Sequence, residues 1–88
     1  MAGEYIQSVS KVTEIAEQSD NIRVKKDKDG KLKPSGVQIK VNKKWYSIDD
    51  IKKVEEDAKT GKLNVTIGDK KYKLDDNAIE EMLKYMKK

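Results

Sequence analysis

The chain has 88 residues, of which 41% are charged, and it contains one Trp, four Tyr and no Phe, Cys or His. A chain of this length buries only about two-thirds of the surface that its unfolded form exposes, so we expect a single domain over residues 1–88 with a small core. Without Cys and His, disulfides, thiolate metal sites and the usual nucleophile–base pairs of enzymes are excluded. No apolar run spans a membrane and MAGEYIQS lacks signal-peptide features, which predicts a cytoplasmic protein.

The net charge of +4 is unevenly distributed along the sequence. Residues 1–20 are acidic, residues 45–88 are neutral, and residues 21–44 carry nine basic residues against Asp27 and Asp29. The excess of positive charge therefore belongs to one segment. Such a segment is typical either of a solvated loop or of a phosphate-binding surface.

An amphipathic helix is predicted within residues 1–20. Apolar residues recur there with the spacing of one helical face, from about Glu4 to Gln18, at Tyr5, Val9, Val12 and Ala16. The helix is expected to pack against a sheet. The alternative is a detachable helix that docks on a partner or on a second copy of the chain.

A short strand is predicted at 22–24, followed by a polar loop. Ile22 and Val24 alternate with basic residues, and the loop DKDGKLKPSG comes directly after. Asp27-Lys28-Asp29-Gly30 superficially resembles the start of a calcium-binding loop, but Gln38 stands where that loop needs its Glu. No metal site and no cofactor are therefore expected.

Two segments 26 residues apart repeat one pattern: VQIKVNKKWYSIDD at 37–50 and LNVTIGDKKYKLDD at 63–76. Alternation within each segment predicts a strand, a tight turn and a second strand. The turn at 42–43 pairs Ile39 with Tyr46, and the turn at 68–69 pairs Val65 with Tyr72. These four residues are predicted to share one buried face.

A helix is predicted after each hairpin, which gives repeated hairpin-helix units at 37–60 and 63–88. The first helix rests on the spacing of Ile51, Val54 and Ala58, and the second on an apolar stripe formed by Ile79, Met82, Leu83 and Met86. Each hairpin ends in an Asp-Asp pair, which suits a helix N-terminus. The predicted fold is α+β: one antiparallel sheet of about five strands with three helices, in the order α-β-β-β-α-β-β-α.

Trp45 is the candidate anchor for a binding partner. Its counterpart in the second repeat is Lys71, so one copy places the only Trp where the other has a lysine. The predicted register puts Trp45 beside Lys40, on the face opposite Tyr46, and predicts that Trp45 is more exposed than Tyr46. The partner-binding residues are therefore expected to be Trp45, Lys40, Lys43 and Lys44. The alternatives are that the first helix covers Trp45 or that Trp45 lies along lysine side chains.

Two functions remain open, and neither is enzymatic. In the first, the protein is a small interaction, adaptor or assembly module that joins a protein partner or itself through Trp45, the first helix or a strand edge. Accessory and structural proteins of bacteria and phages fit that description. In the second, it binds nucleic acid, with Trp45 stacking on a base and a phosphate-binding set formed by Arg23, Lys25, Lys26, Lys28, Lys31 and Lys33.

Overall fold

Two helices and six strands form in residues 5–86, the part of the chain that the computed structural model describes. The predicted α+β class is confirmed. Glu4, Lys87 and Lys88, which the predicted helices or repeat units included, lie outside the described residues. The elements are α1 (Val9–Glu17), β1 (Ile22–Val24), β2 (Val37–Val41), β3 (Lys44–Ser47), β4 (Ile51–Glu56), β5 (Leu63–Ile67), β6 (Lys70–Lys73) and α2 (Asn77–Met86), with short 3-10 helices at Pro34–Gly36 and Ile48–Asp50.

The first sheet has the strand order β1-β2-β3 and contains the first predicted hairpin. Ile39 pairs with Tyr46, as the alternation predicts, and Ile22 pairs with Ile39 from the other side. The turn residues Asn42 and Lys43 have φ of 53° and 69°. A two-residue hairpin turn of type I′ needs positive φ at both positions, and Asn tolerates it better than most residues.

The second sheet has the order β4-β5-β6 and contains the second hairpin, in which Val65 pairs with Tyr72 as predicted. Gly68 supplies the positive φ of that turn, 63°. The prediction of one continuous sheet is wrong, because the two hairpins lie in different sheets. The cause is β4, which pairs with β5 and so gives the second hairpin its own third strand.

The predicted helix over residues 51–60 is wrong, since Ile51–Glu56 forms strand β4. The ladder between β4 and β5 shifts between Ile51 and Lys53, where a bulge leaves Lys52 out of register. Ile51 then pairs with Ile67, and Val54 pairs with Val65, so both face the same side. The bulge therefore gives a strand the three-residue apolar spacing that otherwise indicates a helix.

Both helices contribute to one hydrophobic core. Val12 and Ile15 of α1 are buried together with Ile79, Met82 and Leu83 of α2, against the inner residues of the sheets. The apolar stripe of α1 is thus built into the core, and the predicted packing role of this helix is observed. The rest of the buried core consists of Ile22, Leu32, Val37, Ile39, Val41, Val65 and Leu74.

The predicted shared face is observed as well. Ile39 and Val65 are fully buried, and Tyr46 and Tyr72 are half-buried and pack against the same core. The opposite face of the first sheet points away from this core. That outer face carries Arg23, Lys40 and Trp45.

Candidate functional site

The outer face of the first sheet holds Trp45. Strand alternation and register place Arg23 beside Gln38, Gln38 beside Ser47, and Lys40 beside Trp45, all opposite to buried Ile39. Helix α1 does not cover Trp45, because its buried residues Val12 and Ile15 belong to the core on the other face. Trp45 and Tyr46 are both half-buried, so the predicted greater exposure of Trp45 is not apparent from their burial classes.

Arg23 is the direct contact of Trp45 on this face. The Arg23 guanidinium carbon lies 3.7 Å from the centroid of the indole ring. Arg23 stands on β1 and Trp45 on β3, so the side chain reaches across β2. A cation–π contact of this kind contributes about 0.5–1 kcal/mol at an exposed site. One alternative left open by the sequence was a contact with lysine side chains, but Arg23 forms the contact, and its planar guanidinium is suited to lie on a flat ring.

The basic loop after β1 is held by a hydrogen-bonded turn. Asp27 Oδ1 accepts the backbone N–H groups of Asp29 and Lys31, each at 2.9 Å, and the Asp27 carbonyl accepts the Gly30 N–H at 3.0 Å. Gly30 has a φ of 78°, which suits a residue without a side chain. Asp27 therefore organises the loop backbone, and Lys28 lies within this turn.

A buried leucine orients the two lysines that follow the turn. Leu32 is fully buried, and its carbonyl accepts the Ile6 N–H at 2.7 Å. This bond holds the segment before α1 against the loop. Lys31 and Lys33, on either side of Leu32, place their ammonium groups 5.2 Å and 5.5 Å from the ring centroid of Tyr5. Tyr5 keeps 42% of its surface exposed.

Lys25 joins the two aromatic regions. Its N–H donates to the Gly36 carbonyl at 2.7 Å, which extends the β1–β2 pairing by one residue. Two shallow depressions share Lys25, Ser35 and Gly36. One continues to Arg23, and the other continues to Lys33. We call the resulting strip the basic-aromatic surface and define it as Tyr5, Arg23, Lys25, Lys26, Lys31, Lys33, Lys40 and Trp45.

The structure brings most, but not all, of the predicted site residues together. Most of the predicted cations lie on the basic-aromatic surface, together with Trp45. Lys43 occupies the β2–β3 turn, and Lys44 pairs with Val41, which directs it to the face opposite Trp45. Tyr5 was missed as a site residue because its spacing assigned it to the apolar stripe of the first helix. The helix begins only at Val9, and Tyr5 precedes it.

The outer face of the second sheet differs in charge. The Glu55 carboxylate forms ion pairs with two lysines, at 3.1 Å from Lys71 Nζ and 3.3 Å from Lys53 Nζ. Its pKa is lowered by these two lysines, Lys71 first. Cations on this face are thus partly neutralised by an acid in contact with them. On the basic-aromatic surface, Arg23, Lys31 and Lys33 instead lie over aromatic rings.

One aspartate of each Asp-Asp pair, Asp76 and Asp50, has a structural role. Asp76 Oδ1 accepts the Ala78 N–H at 2.8 Å, and its Oδ2 accepts Ser19 Oγ at 2.9 Å and Asn21 Nδ2 at 2.8 Å. Burial opposes ionisation of Asp76, but these hydrogen bonds outweigh it and lower its pKa. In the first pair, Asp50 accepts the Ser47 N–H at 3.0 Å. Within residues 5–86, no group of three or more acidic side chains could hold a metal ion.

No protein-family model matches the chain, and neither the curated proteins nor the solved structures give a match. The candidate site therefore rests on its own geometry. No helix in the described part of the chain is long and apolar enough to cross a membrane.

Proposed function

We propose that the protein is a non-enzymatic module that binds nucleic acid through the basic-aromatic surface. The observation that carries this proposal is the pairing of cations with both aromatic rings on one continuous strip. Arg23 lies on Trp45, and Lys31 and Lys33 lie on Tyr5. Nucleic acids present two matching chemistries, a phosphate chain for the cations and flat bases for the rings.

The charge of the strip supports phosphate binding. It holds six basic side chains, and the acid that borders it, Asp27, has one carboxylate oxygen bonded to two backbone N–H groups. Neutralising phosphates releases condensed counterions, so this part of the affinity falls as salt rises. Arg23 adds a planar donor that can bind a phosphate with two hydrogen bonds.

The geometry gives less support to two routes of assembly that the sequence leaves open. The apolar residues of α1 are buried in the core, so releasing this helix would expose Val12 and Ile15. The edge strands carry basic side chains, which oppose the addition of another strand. These residues are Arg23 on β1, Lys44 on β3, Lys52 and Lys53 on β4, and Lys70, Lys71 and Lys73 on β6.

A second candidate function is that of an interaction or assembly module, as an adaptor or as a bacterial or phage accessory protein. One observation favours it. A largely apolar groove between the segment before α1 and the end of α2 is lined by Tyr5, Ile6, Gln7, Pro34, Ile48, Tyr85 and Met86. Tyr5 and Tyr85 are the large apolar residues exposed in the described region, at 42% and 37%. An exposed aromatic pair at a groove is typical of a protein-binding site.

The first test measures the affinity for a mixed pool of DNA and RNA between about 50 and 200 mM salt. We expect affinity to fall steeply with salt and Trp45 fluorescence to be quenched on binding. Lys25→Ala with Lys40→Ala should weaken binding and flatten the salt slope by about 0.7 per lost phosphate contact on a single strand. The control, Lys70→Ala with Lys73→Ala, removes the same charge from the second sheet and should leave the affinity and the salt slope nearly unchanged.

Absence of binding at low salt, or an equal effect of the two double variants, contradicts the proposed surface. Sedimentation at rising protein concentration tests the second candidate function for self-association. A dimer that Tyr85→Ser abolishes would favour assembly through the groove.

A further inference from the structure

We propose that the basic-aromatic surface binds a single strand, with Trp45 and Tyr5 as two separate base-stacking positions joined by a path of cations. This inference rests on the proposed function and names its substrate class. Trp45 lies on the sheet face and Tyr5 lies beyond the basic loop, so the two rings belong to different parts of the chain. The strip between them is continuous through Lys25 and Ser35.

The Trp45 position is already occupied by a planar cation. The guanidinium of Arg23 covers one face of the indole at 3.7 Å, a stacking geometry that a nucleobase can take over. When a base replaces it, Arg23 is released beside the incoming strand and pairs with a neighbouring phosphate. Lys40, directly across the strand pair from Trp45, lies on the same face and adds a second phosphate contact.

The Tyr5 position is fixed by the backbone. The bond from the Ile6 N–H to the Leu32 carbonyl, 2.7 Å long, holds Tyr5 next to the two lysines that flank Leu32. The ring is 42% exposed, which leaves part of it accessible. Ammonium groups 5.2 Å and 5.5 Å from its centre place positive charge where the phosphates of a stacked nucleotide would lie.

The path between the rings suits a phosphate backbone better than bases. Lys25, Lys26 and Ser35 border the shallow depressions there, and Gly36 adds no side chain to the floor. The Asp27 Oδ1 atom is bonded to backbone N–H groups, which partly offsets its negative charge. A strand can therefore place bases on the two rings and run its phosphates past the lysines.

Stacking on the rings distinguishes a single strand from a duplex. In a duplex the bases are stacked on one another and paired, so neither ring receives a base without unstacking that costs a few kcal/mol. A single strand presents its bases without that cost. Base–aromatic stacking also tolerates every base, so we expect weak sequence preference.

The experiment uses thymidine oligonucleotides of about 3 and about 12 nucleotides, short and long against the typical size of such sites. Binding is followed by fluorescence of Trp45, the only Trp in the chain. Tyr5→Leu should weaken binding of the long oligonucleotide about tenfold, since one stacked base is lost, and should leave quenching by the short one unchanged. Tyr5→Phe keeps the ring and should bind like the unmodified protein.

Trp45→Leu, followed by anisotropy of a labelled long oligonucleotide, should weaken binding about tenfold, and Trp45→Phe should restore much of it. Circular dichroism of each variant checks that the fold is kept. The inference is overturned if a duplex of equal length binds as tightly as the single strand, or if Tyr5→Leu and Tyr5→Phe bind the long oligonucleotide equally well. In those cases nucleic-acid binding still stands, whereas no binding of any oligonucleotide rejects the proposed function itself.

Discussion

Tyr46 and Tyr72 occupy equivalent positions in the two copies of the internal repeat, and their rings meet with centroids 6.1 Å apart and planes tilted by 37°. Tyr46 belongs to β3 of the first sheet and Tyr72 to β6 of the second. The repeat therefore does more than encode two hairpins, because it supplies both halves of a contact between the sheets. An aromatic pair of this geometry contributes about 0.5–1.5 kcal/mol beyond the burial of its surface.

This contact predicts a response to alkaline pH. The Tyr72 hydroxyl, followed by burial and the charge of Asp50, raises the pKa of Tyr46. The folded state therefore favours neutral Tyr46, and the resulting stability is present below about pH 10, where an unfolded tyrosine ionises, and is lost as pH rises through the raised pKa. Tyr46→Phe cannot ionise, so its melting temperature should fall less above pH 10 than that of the unmodified protein. Thermal unfolding across this range measures the difference.

The control for this prediction is Tyr85→Phe, which removes the hydroxyl of an exposed tyrosine far from the sheet contact in sequence. Its pH profile should match that of the unmodified protein. If the pH profile of Tyr46→Phe matches those of Tyr85→Phe and of the unmodified protein, ionisation of Tyr46 is not coupled to folding.

Asp76 predicts a loss of folding stability at acid pH, whereas Tyr46 predicts a loss at alkaline pH. It caps α2 and binds the turn between α1 and β1, so its carboxylate joins two distant parts of the sequence. Because its pKa is lowered in the folded state, its stabilisation is present above the ordinary aspartate pKa of about 4 and is lost as pH falls through the lowered value. At neutral pH, Asp76→Ala should cost about 1–2 kcal/mol, as the loss of an N-cap does.

Urea unfolding at neutral pH and at about pH 3 measures this effect, with Asp75→Ala as a control of equal charge change at the exposed neighbouring position. The destabilisation by Asp76→Ala should shrink at the lower pH, and Asp75→Ala should stay within about 0.5 kcal/mol. Equal losses in the two variants would assign the effect to net charge rather than to the cap.

Gly36 is required by a close approach of two backbone segments. A Cβ added there would overlap the carbonyl oxygen of Lys25, whose N–H is already bonded to Gly36. Gly36→Ala must therefore displace β1 or the 3-10 turn before β2, at about 1–3 kcal/mol by analogy with overpacking. Chemical denaturation should show this loss, whereas Ser35→Ala at the exposed neighbour should show almost none. If Gly36→Ala is as stable as Ser35→Ala, the two segments do not approach as described.

The sequence predicts the hairpins because alternation, turn residues and the repeat all agree at Ile39, Tyr46, Val65 and Tyr72. It fails at β4, where a bulge at Lys52 brings Ile51 and Val54 to one face and imitates helical spacing. Local spacing does not distinguish a bulged strand from a helix here, because only the pairing of β4 with β5 decides between the two. The basic segment and Trp45 are likewise visible in the sequence. The role of Tyr5 is not visible in the sequence, because it depends on the backbone hydrogen bond between Ile6 and Leu32, which are far apart in the chain.

The contact of Arg23 with Trp45 predicts how accessible the indole is without any ligand. Since the guanidinium covers one ring face at 3.7 Å, Arg23→Ala should increase quenching of Trp45 fluorescence by acrylamide, a neutral quencher that does not respond to the charge change. Arg23→Lys should give an intermediate value, because an ammonium keeps the charge but does not stack as a plane. Lys70→Ala, a cation removed from the second sheet, should leave quenching unchanged. If Arg23→Ala quenches no faster than Lys70→Ala, the guanidinium does not shield the ring in solution, and the stacking position on Trp45 is open before any base arrives.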